Sequence, residues 1–253
     1  MYAFITGATS GIGLAFTNYL ASIGYDLVLI ARNQERLRNV RRKLAEKFPN
    51  QKFIIEPADL SDSGEAVRVS QKYCDHPFQY VIQCAGFGKW GTIDQIPLED
   101  ECEMIQTNLT AVHIITKYFA THMMQGTILN VASLAGFAPT PLMSAYAASK
   151  SYVIQLSLAL DYELQKMNRP VRISVLCPGP INTGFQKRAG QGKCMQSISL
   201  KKCVRYAITQ ADAGKKIIIP GRLMRCTYFA AKFLPVRTLL SLEYRIQSGK
   251  ADR

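Results

Sequence analysis

The chain has 253 residues, 48% of them hydrophobic and 19% charged, enough for one large core or two small ones and too apolar for global disorder. No apolar run reaches the roughly 18–20 residues of a membrane span. No basic segment or cleavage signal precedes the strand-like run from Tyr2, and seven scattered cysteines and three scattered histidines offer no CxxC pair or ligand spacing; the expectation is a cytoplasmic protein in a reducing compartment, without secretory signal, disulfide framework or metal.

Apolar, β-rich runs alternate with amphipathic stretches. Tyr2–Thr6 reads as a strand and Ile12–Ile23 as a helix. Asp26–Ala31 is a second strand, and Asn33 caps a helix running to about Phe48, where Pro49 stops it. Lys52–Glu56 is a third strand, Ser61–Tyr73 a helix and Phe78–Gln83 a fourth strand. A long helical region, broken or not, follows Pro97 to about Met124. Thr127–Ala132 is a fifth strand, and Ser144–Met167 a long helix that ends before Pro170. Val171–Cys177 is a sixth strand, Leu200–Gln210 a helix and Lys216–Ile219 a seventh strand. Short, continuously apolar strands separated by helices predict a parallel sheet covered on both faces, and right-handed crossovers make it doubly wound. The expected fold is a single Rossmann-type α/β domain of about seven strands over residues 1–221, with a C-terminal extension over 222–253.

Between the first strand and the first helix lies Thr6-Gly7-Ala8-Thr9-Ser10-Gly11-Ile12-Gly13. Glycines in that place let the backbone turn tightly against a pyrophosphate, and the helix N-terminus faces the negative charge. Thr9 and Ser10 add hydroxyls near the same ligand. Sheets that bind NAD place an acid at the tip of the second strand, against the ribose 2′-hydroxyl. Here the tip reads Ala31-Arg32-Asn33, and Arg32 offers a planar fork for a 2′-phosphate, so the expected cofactor is NADP(H).

Tyr146 and Lys150 stand four residues apart, on one face of the long helix. An ammonium there favours the phenolate, and a tyrosine so tuned exchanges a proton with an alkoxide. Ser133 follows the fifth strand directly, at the carboxyl edge where open α/β sheets bind ligands, and its hydroxyl is placed to hold a substrate oxygen.

With these motifs in this order, the chain from Tyr2 to about Ile219 resembles the short-chain dehydrogenase/reductase family. The resemblance places the family's glycine motif on Gly7, Gly11 and Gly13, with Thr9, Ser10 and Ile12 in the same loop. It places the adenine-contacting Asp on Asp59, beside Leu60, and the backbone next to the cofactor ribose on Ala85 and Gly86. The catalytic tetrad falls on Asn108, Ser133, Tyr146 and Lys150. The loop after the sixth strand falls on Pro178-Gly179-Pro180-Ile181-Asn182-Thr183, with a backbone group near Ile181 on the nicotinamide and Thr183 on its carboxamide or phosphate side. One motif departs: Gln83-Cys84-Ala85-Gly86 stands where the family has Asn-Asn-Ala-Gly, so the side chain that ties the sheet together is a longer amide. The segment Ala85-Gly86-Phe87-Gly88-Lys89-Trp90-Gly91 is similar to the DltE-like branch, whose substrates vary.

The resemblance implies hydride transfer between a nicotinamide and a carbonyl or alcohol carbon. Tyr146 exchanges the proton, Ser133 holds the substrate oxygen, Lys150 grips the nicotinamide ribose and lowers the Tyr146 pKa, and Asn108 anchors a water that links Lys150 to solvent. It also implies a homodimer or homotetramer. Cys177 reads as a buried strand-end thiol rather than a nucleophile. Phe137, Leu142, Met143, Phe185 and Met195 flank the expected cleft and suggest a lipid-like, steroid-like or aromatic substrate, though ordinary packing explains them nearly as well.

The net charge of +13 gathers at the end of the chain: residues 1–184 hold sixteen basic and fifteen acidic side chains, residues 185–253 fifteen and three. No zinc-finger, helix-turn-helix or RNP-like signature points to nucleic acid, and a solvated basic face is the plain explanation. The stretch from Arg222 to Leu234 mixes bulky apolar and basic residues. A lid over the cleft or a subunit contact is the first reading, and a peripheral membrane contact the second. Two further functions compete with the reductase: a non-catalytic NADP(H)-binding sensor or scaffold, and a lipid-surface enzyme acting on long-chain 3-oxoacyl or sphingoid ketones.

Overall fold

Seven apolar runs form β1 (Tyr2–Thr6), β2 (Asp26–Ala31), β3 (Phe53–Pro57), β4 (Phe78–Gln83), β5 (Gly126–Val131), β6 (Val171–Leu176) and β7 (Ile217–Ile218). They make one sheet in the order β3-β2-β1-β4-β5-β6-β7, and every pairing is parallel. The computed structural model describes residues 1–181, 183–190, 198–231 and 233–249. The order reverses direction between β1 and β4, and the carboxyl ends of these strands open the crevice where such sheets bind ligands.

The helices are α1 (Gly11–Ser22), α2 (Gln34–Lys47), α3 (Ser63–Tyr73), α4 (Leu98–Ile105), α5 (Ala111–His122), α6 (Ser144–Lys166), α7 (Gly184–Ala189), α8 (Leu200–Asp212), α9 (Arg222–Ala231) and α10 (Val236–Ser248). Phe16 and Leu20 of α1, Leu37 of α2 and Val204 of α8 pack with Ile5, Leu29 and Ile82 on one face of the sheet. Val69 of α3, Phe119 of α5 and Leu164 of α6 pack with Phe4, Val28 and Val81 on the other. The central strands thus bury both sets of side chains, which is why their sequences are apolar without alternation, while the edge strand β3 leaves Ile54 exposed.

Several boundaries differ from the sequence reading. The first helix begins at Gly11, inside the glycine loop. The third begins at Ser63 rather than Ser61, because Asp62 is its cap and accepts the Gly64 N–H at 2.8 Å, while Ser61 belongs to a turn held by Asp59. The region after Pro97 is broken: a π-helical turn at Gln106–Thr110 separates α4 from α5. A 3₁₀ turn at Leu134–Phe137 follows β5, and the extension forms α9 and α10. No helix among the described residues is long and apolar enough to cross a membrane.

Helix α6 is anchored by its buried Asp161. The carboxylate accepts the Ile173 N–H of β6 at 2.9 Å and pairs with Lys216, which precedes β7, at 2.7 Å. Gln83 does tie the sheet together: its Nε2 donates to Thr116 Oγ1 of α5 at 2.7 Å and to Asn130 Oδ1 of β5 at 2.9 Å. Asn130 in turn donates to Ser157 of α6 at 3.0 Å. The longer amide leaves its Oε1 without a partner among the described residues, but the cross-sheet link is intact.

Candidate active site

The glycine loop turns where β1 ends. Gly7 has φ +65°, and a side chain there would press on the Ala85 backbone nitrogen at 2.8 Å. A side chain on Gly13 would collide with the Gly7 carbonyl, so α1 packs directly on its own entry loop. Thr6 Oγ1 accepts the N–H groups of Cys84 and Ala85, each at 3.1 Å, and locks the ends of β1 and β4 together. Ser10 occupies the N-cap of α1 in extended conformation, and its side chain caps no backbone N–H. The first turn of α1 therefore faces the crevice with donors that suit a pyrophosphate.

At the tip of β2, Asn33 accepts the Arg36 N–H at 2.8 Å and so serves as the cap of α2. Arg32 Nη1 donates to Glu103 of α4 at 2.7 Å and lies 3.8 Å from Asp59. Burial pushes the Asp59 carboxyl up, but the Ser61 N–H and hydroxyl, together with Arg32, hold it below the ordinary range.

At the other end, Ser133 leaves β5 and caps the 3₁₀ turn, accepting the Ala135 N–H at 3.2 Å. Tyr146 and Lys150 project from α6 one turn apart. Burial pushes the Tyr146 phenol up to about 12, against the lowering effect of the nearby Ser133 hydroxyl. Burial also pushes the Lys150 ammonium down to about 8, and Nζ donates to the Val131 carbonyl at 3.0 Å. The net shift of the phenol is therefore upward, opposite in direction to the lowering expected from Lys150. Nζ lies 5.8 Å from the Tyr146 ring centre and is directed at Val131, and desolvation outweighs the effect of a charge so placed.

Asn108 sits in the π-helical turn and is wholly buried. Its Oδ1 accepts the Phe87 N–H at 3.0 Å, and its Nδ2 donates to the Phe87 carbonyl at 2.8 Å and to Ser149 Oγ at 3.2 Å. Ser149 donates to the Tyr146 carbonyl at 2.7 Å. One amide thus joins the strip after β4 to the turn of α6 that carries Tyr146 and Lys150.

These groups surround one cavity of about 740 Å³. Gly7, Thr9, Ser10, Gly11 and Ile12 line it from the glycine loop, and Arg32, Asn33, Asp59 and Leu60 from the β2 and β3 ends. Ala85, Gly86, Ser133, Tyr146 and Lys150 line its middle, with Pro178, Gly179, Ile181 and Thr183 opposite. Two expected contact residues do not reach it. Gly13 is covered by the Gly7 carbonyl, and the Asn108 side chain is spent on Phe87 and Ser149. Of the expected apolar flank, Phe137, Met143 and Phe185 line the cavity and Leu142 does not; Met195 and Asn182 lie outside the described residues. Cys177 is fully buried, and burial raises its thiol. Sequence reasoning missed Arg36 and Glu103, and it missed which face of the extension points inward: Met224, Thr227, Tyr228, Glu243, Ile246 and Gln247 also line the cavity. Tyr228 packs on Phe137 with ring centres 4.4 Å apart. An apolar residue every three or four positions from Met224 was the available signal.

The chain matches the family model for short chain dehydrogenase over residues 1–193. An uncharacterized oxidoreductase of Mycobacterium tuberculosis is 31% identical over 220 residues, 85% of this chain and 86% of that protein. A short-chain dehydrogenase from Sphingobium yanoikuyae, solved in complex with NADPH, superposes with a TM-score of 0.83 at 27% identity, covering 91% of this chain and 92% of the other. A short chain dehydrogenase/reductase from Burkholderia phymatum, solved in complex with NAD, shares the fold with a TM-score of 0.81 at 22% identity, over 90% and 91% of the two chains.

Proposed function

The chain belongs to the short-chain dehydrogenase family of oxidoreductases, and on that premise we propose that it interconverts a ketone or aldehyde and an alcohol with NADP(H), using Ser133, Tyr146 and Lys150 with Asn108 behind them. The observation that carries the proposal is the convergence of Ser133, Tyr146 and buried Lys150 on one cavity, the last two one helical turn apart.

The nicotinamide supplies the hydride when bound. Tyr146 stays protonated at neutral pH and gives its proton to the carbonyl oxygen as charge develops there. The Ser133 hydroxyl hydrogen-bonds the same oxygen. Lys150 is cationic below about pH 8 and stabilises the tyrosinate left behind. Asn108 acts as a positioning residue, because its side chain holds Phe87 and Ser149.

Arg32, with Arg36 one helical turn on, supports the choice of NADP(H), and the Sphingobium yanoikuyae structure holds NADPH. Phe137, Met143, Phe185, Met224 and Tyr228 support an apolar substrate of lipid-like, steroid-like or aromatic type. We also propose the DltE-like branch, on the segment Ala85–Gly91, and a homodimer or homotetramer, both as implied by the resemblance.

For the extension, 222–253, we propose a lid, because α9 and α10 contribute cavity wall. A specific observation keeps the membrane-surface reading beside it. Leu223, Phe229, Phe233 and Leu242 are exposed, with Arg222, Arg237 and Arg245 also exposed on the same two-helix segment. Flotation with anionic liposomes, with and without residues 222–253, separates the two readings, since a lid alone gives equal flotation. The function itself is tested by NADPH and NADH oxidation against steroid, 3-oxoacyl and small aromatic carbonyls. Turnover with NADPH supports the reductase, a strong NADH preference removes the argument from Arg32, and cofactor binding without turnover on any carbonyl favours the sensor.

A further inference from the structure

The adenosine end of the cavity carries two cations and two carboxylates: Arg32, Arg36, Asp59 and Glu103 all line it. They are not equally free. Asp59 is engaged by the Ser61 N–H and hydroxyl and stands 3.8 Å from Arg32 Nη1. Arg36 makes no ion pair among the described residues. Arg32 is committed, its Nη1 donating at 2.7 Å to a carboxylate 71 positions away on α4. That contact crosses from the β2 side of the cavity to the α4 side.

We infer that Glu103 sets how strongly the site distinguishes a 2′-phosphorylated dinucleotide from an unphosphorylated one, by holding the Arg32 guanidinium against α4. The inference rests on the reading of Arg32 as the 2′-phosphate ligand. A phosphate monoester carries between one and two negative charges near neutral pH. To bind it bidentately, Arg32 must release or share Glu103, and the carboxylate then stands beside the incoming phosphate as a like charge. A 2′-hydroxyl brings no charge and leaves the pair as it is. Glu103 therefore works against NADP(H) and is indifferent to NAD(H), and the wild-type chain discriminates less than its two arginines would by themselves.

The size of the effect follows from exposure. The side chains are 65% and 37% exposed, so water screens the pair and its release changes affinity by roughly two- to fivefold. Glu103→Gln keeps the shape and removes the charge.

The test is calorimetric binding of NADPH, NADH and adenosine 2′-monophosphate to the full chain, in wild type, Glu103→Gln, Arg32→Ala and the double variant. Asp100→Asn serves as a control, since Asp100 lies on the same helix and the same cavity but pairs with Lys89. The expected result is two- to fivefold tighter NADPH and adenosine 2′-monophosphate in Glu103→Gln, unchanged NADH, and a smaller gain in the Arg32→Ala background. No gain, an equal gain for NADH, a gain undiminished by loss of Arg32, or a gain as large in Asp100→Asn would each overturn the inference. If Arg32→Ala leaves the NADPH-to-NADH ratio unchanged, the reading of Arg32 fails and takes the inference with it. If Arg32→Ala lowers that ratio and Glu103→Gln does not raise it, the inference alone fails.

Discussion

Lys150→Met separates what the proposed active site costs the fold from what it does for catalysis. Lys150 is 6% exposed, and burial brings its pKa from 10.5 to about 8. That difference corresponds to about 3 kcal/mol favouring the neutral amine in the folded protein. At pH 7 the ammonium is nevertheless present in both folded and unfolded chains, so the fold carries this burden. Methionine has a similar shape and no charge, and it removes the burden. It also leaves the Val131 carbonyl without the donor now at 3.0 Å, which costs about 1–3 kcal/mol. The charge effect wins by about 1 kcal/mol, and for a chain of this size the melting temperature rises by roughly 2–4 °C. The pH dependence supplies the sign. A lysine whose folded pKa is depressed binds fewer protons in the native state between about pH 8 and 10.5, so wild-type stability rises with pH across that window. The advantage of Lys150→Met is therefore largest below pH 8, is lost near about pH 9 and reverses by about pH 10, where the stranded Val131 carbonyl outweighs what remains of the burden. Thermal unfolding of both proteins at pH 7 and at pH 10, followed by circular dichroism, measures it. A variant less stable than wild type at pH 7, or a gap that does not shrink with pH, refutes the reasoning. Turnover of the same variant falls steeply, because the cation beside Tyr146 is gone.

Asn108→Ala strands the Phe87 N–H and carbonyl and breaks the link to Ser149, so urea unfolding should show a loss of about 2–4 kcal/mol, and a loss under about 1 kcal/mol contradicts the positioning role. The rate of carbonyl reduction at saturating substrate should be level below about pH 8 and fall above it as Lys150 loses its proton, with Tyr146 still protonated; a rate that rises through pH 8 contradicts the assignment.

The strands and the glycine loop were legible because their signals are local. Apolar runs such as Asp26–Ala31 alternate with helices, and a glycine cluster sits at a strand–helix junction, so the sheet and its crevice follow from period and order. Tyr146 and Lys150 were legible for the same reason, since their spacing places them on one helical face. What was not legible depends on contacts between distant elements. The π-helical turn at Gln106–Thr110 leaves the apolar period nearly unchanged, so the region read as one helix, broken or not. The environment of Lys150 depends on burial, which spacing cannot report, and so the direction of the Tyr146 shift was missed. The hold of Glu103 on Arg32 spans 71 residues and has no sequence pattern at all. Gln83 shows the reverse: a departure that left the sheet geometry open turns out to make the cross-sheet bonds with its longer arm.

The central claim is that Tyr146 donates the proton. Tyr146→Phe keeps the ring that packs 5.4 Å from Phe185 and removes only the hydroxyl. The account predicts that, on whichever carbonyl the wild type reduces, this variant loses at least about 10²-fold in kcat while NADPH binds within about twofold of wild type. Turnover above a tenth of wild type, with NADPH bound normally, would contradict it.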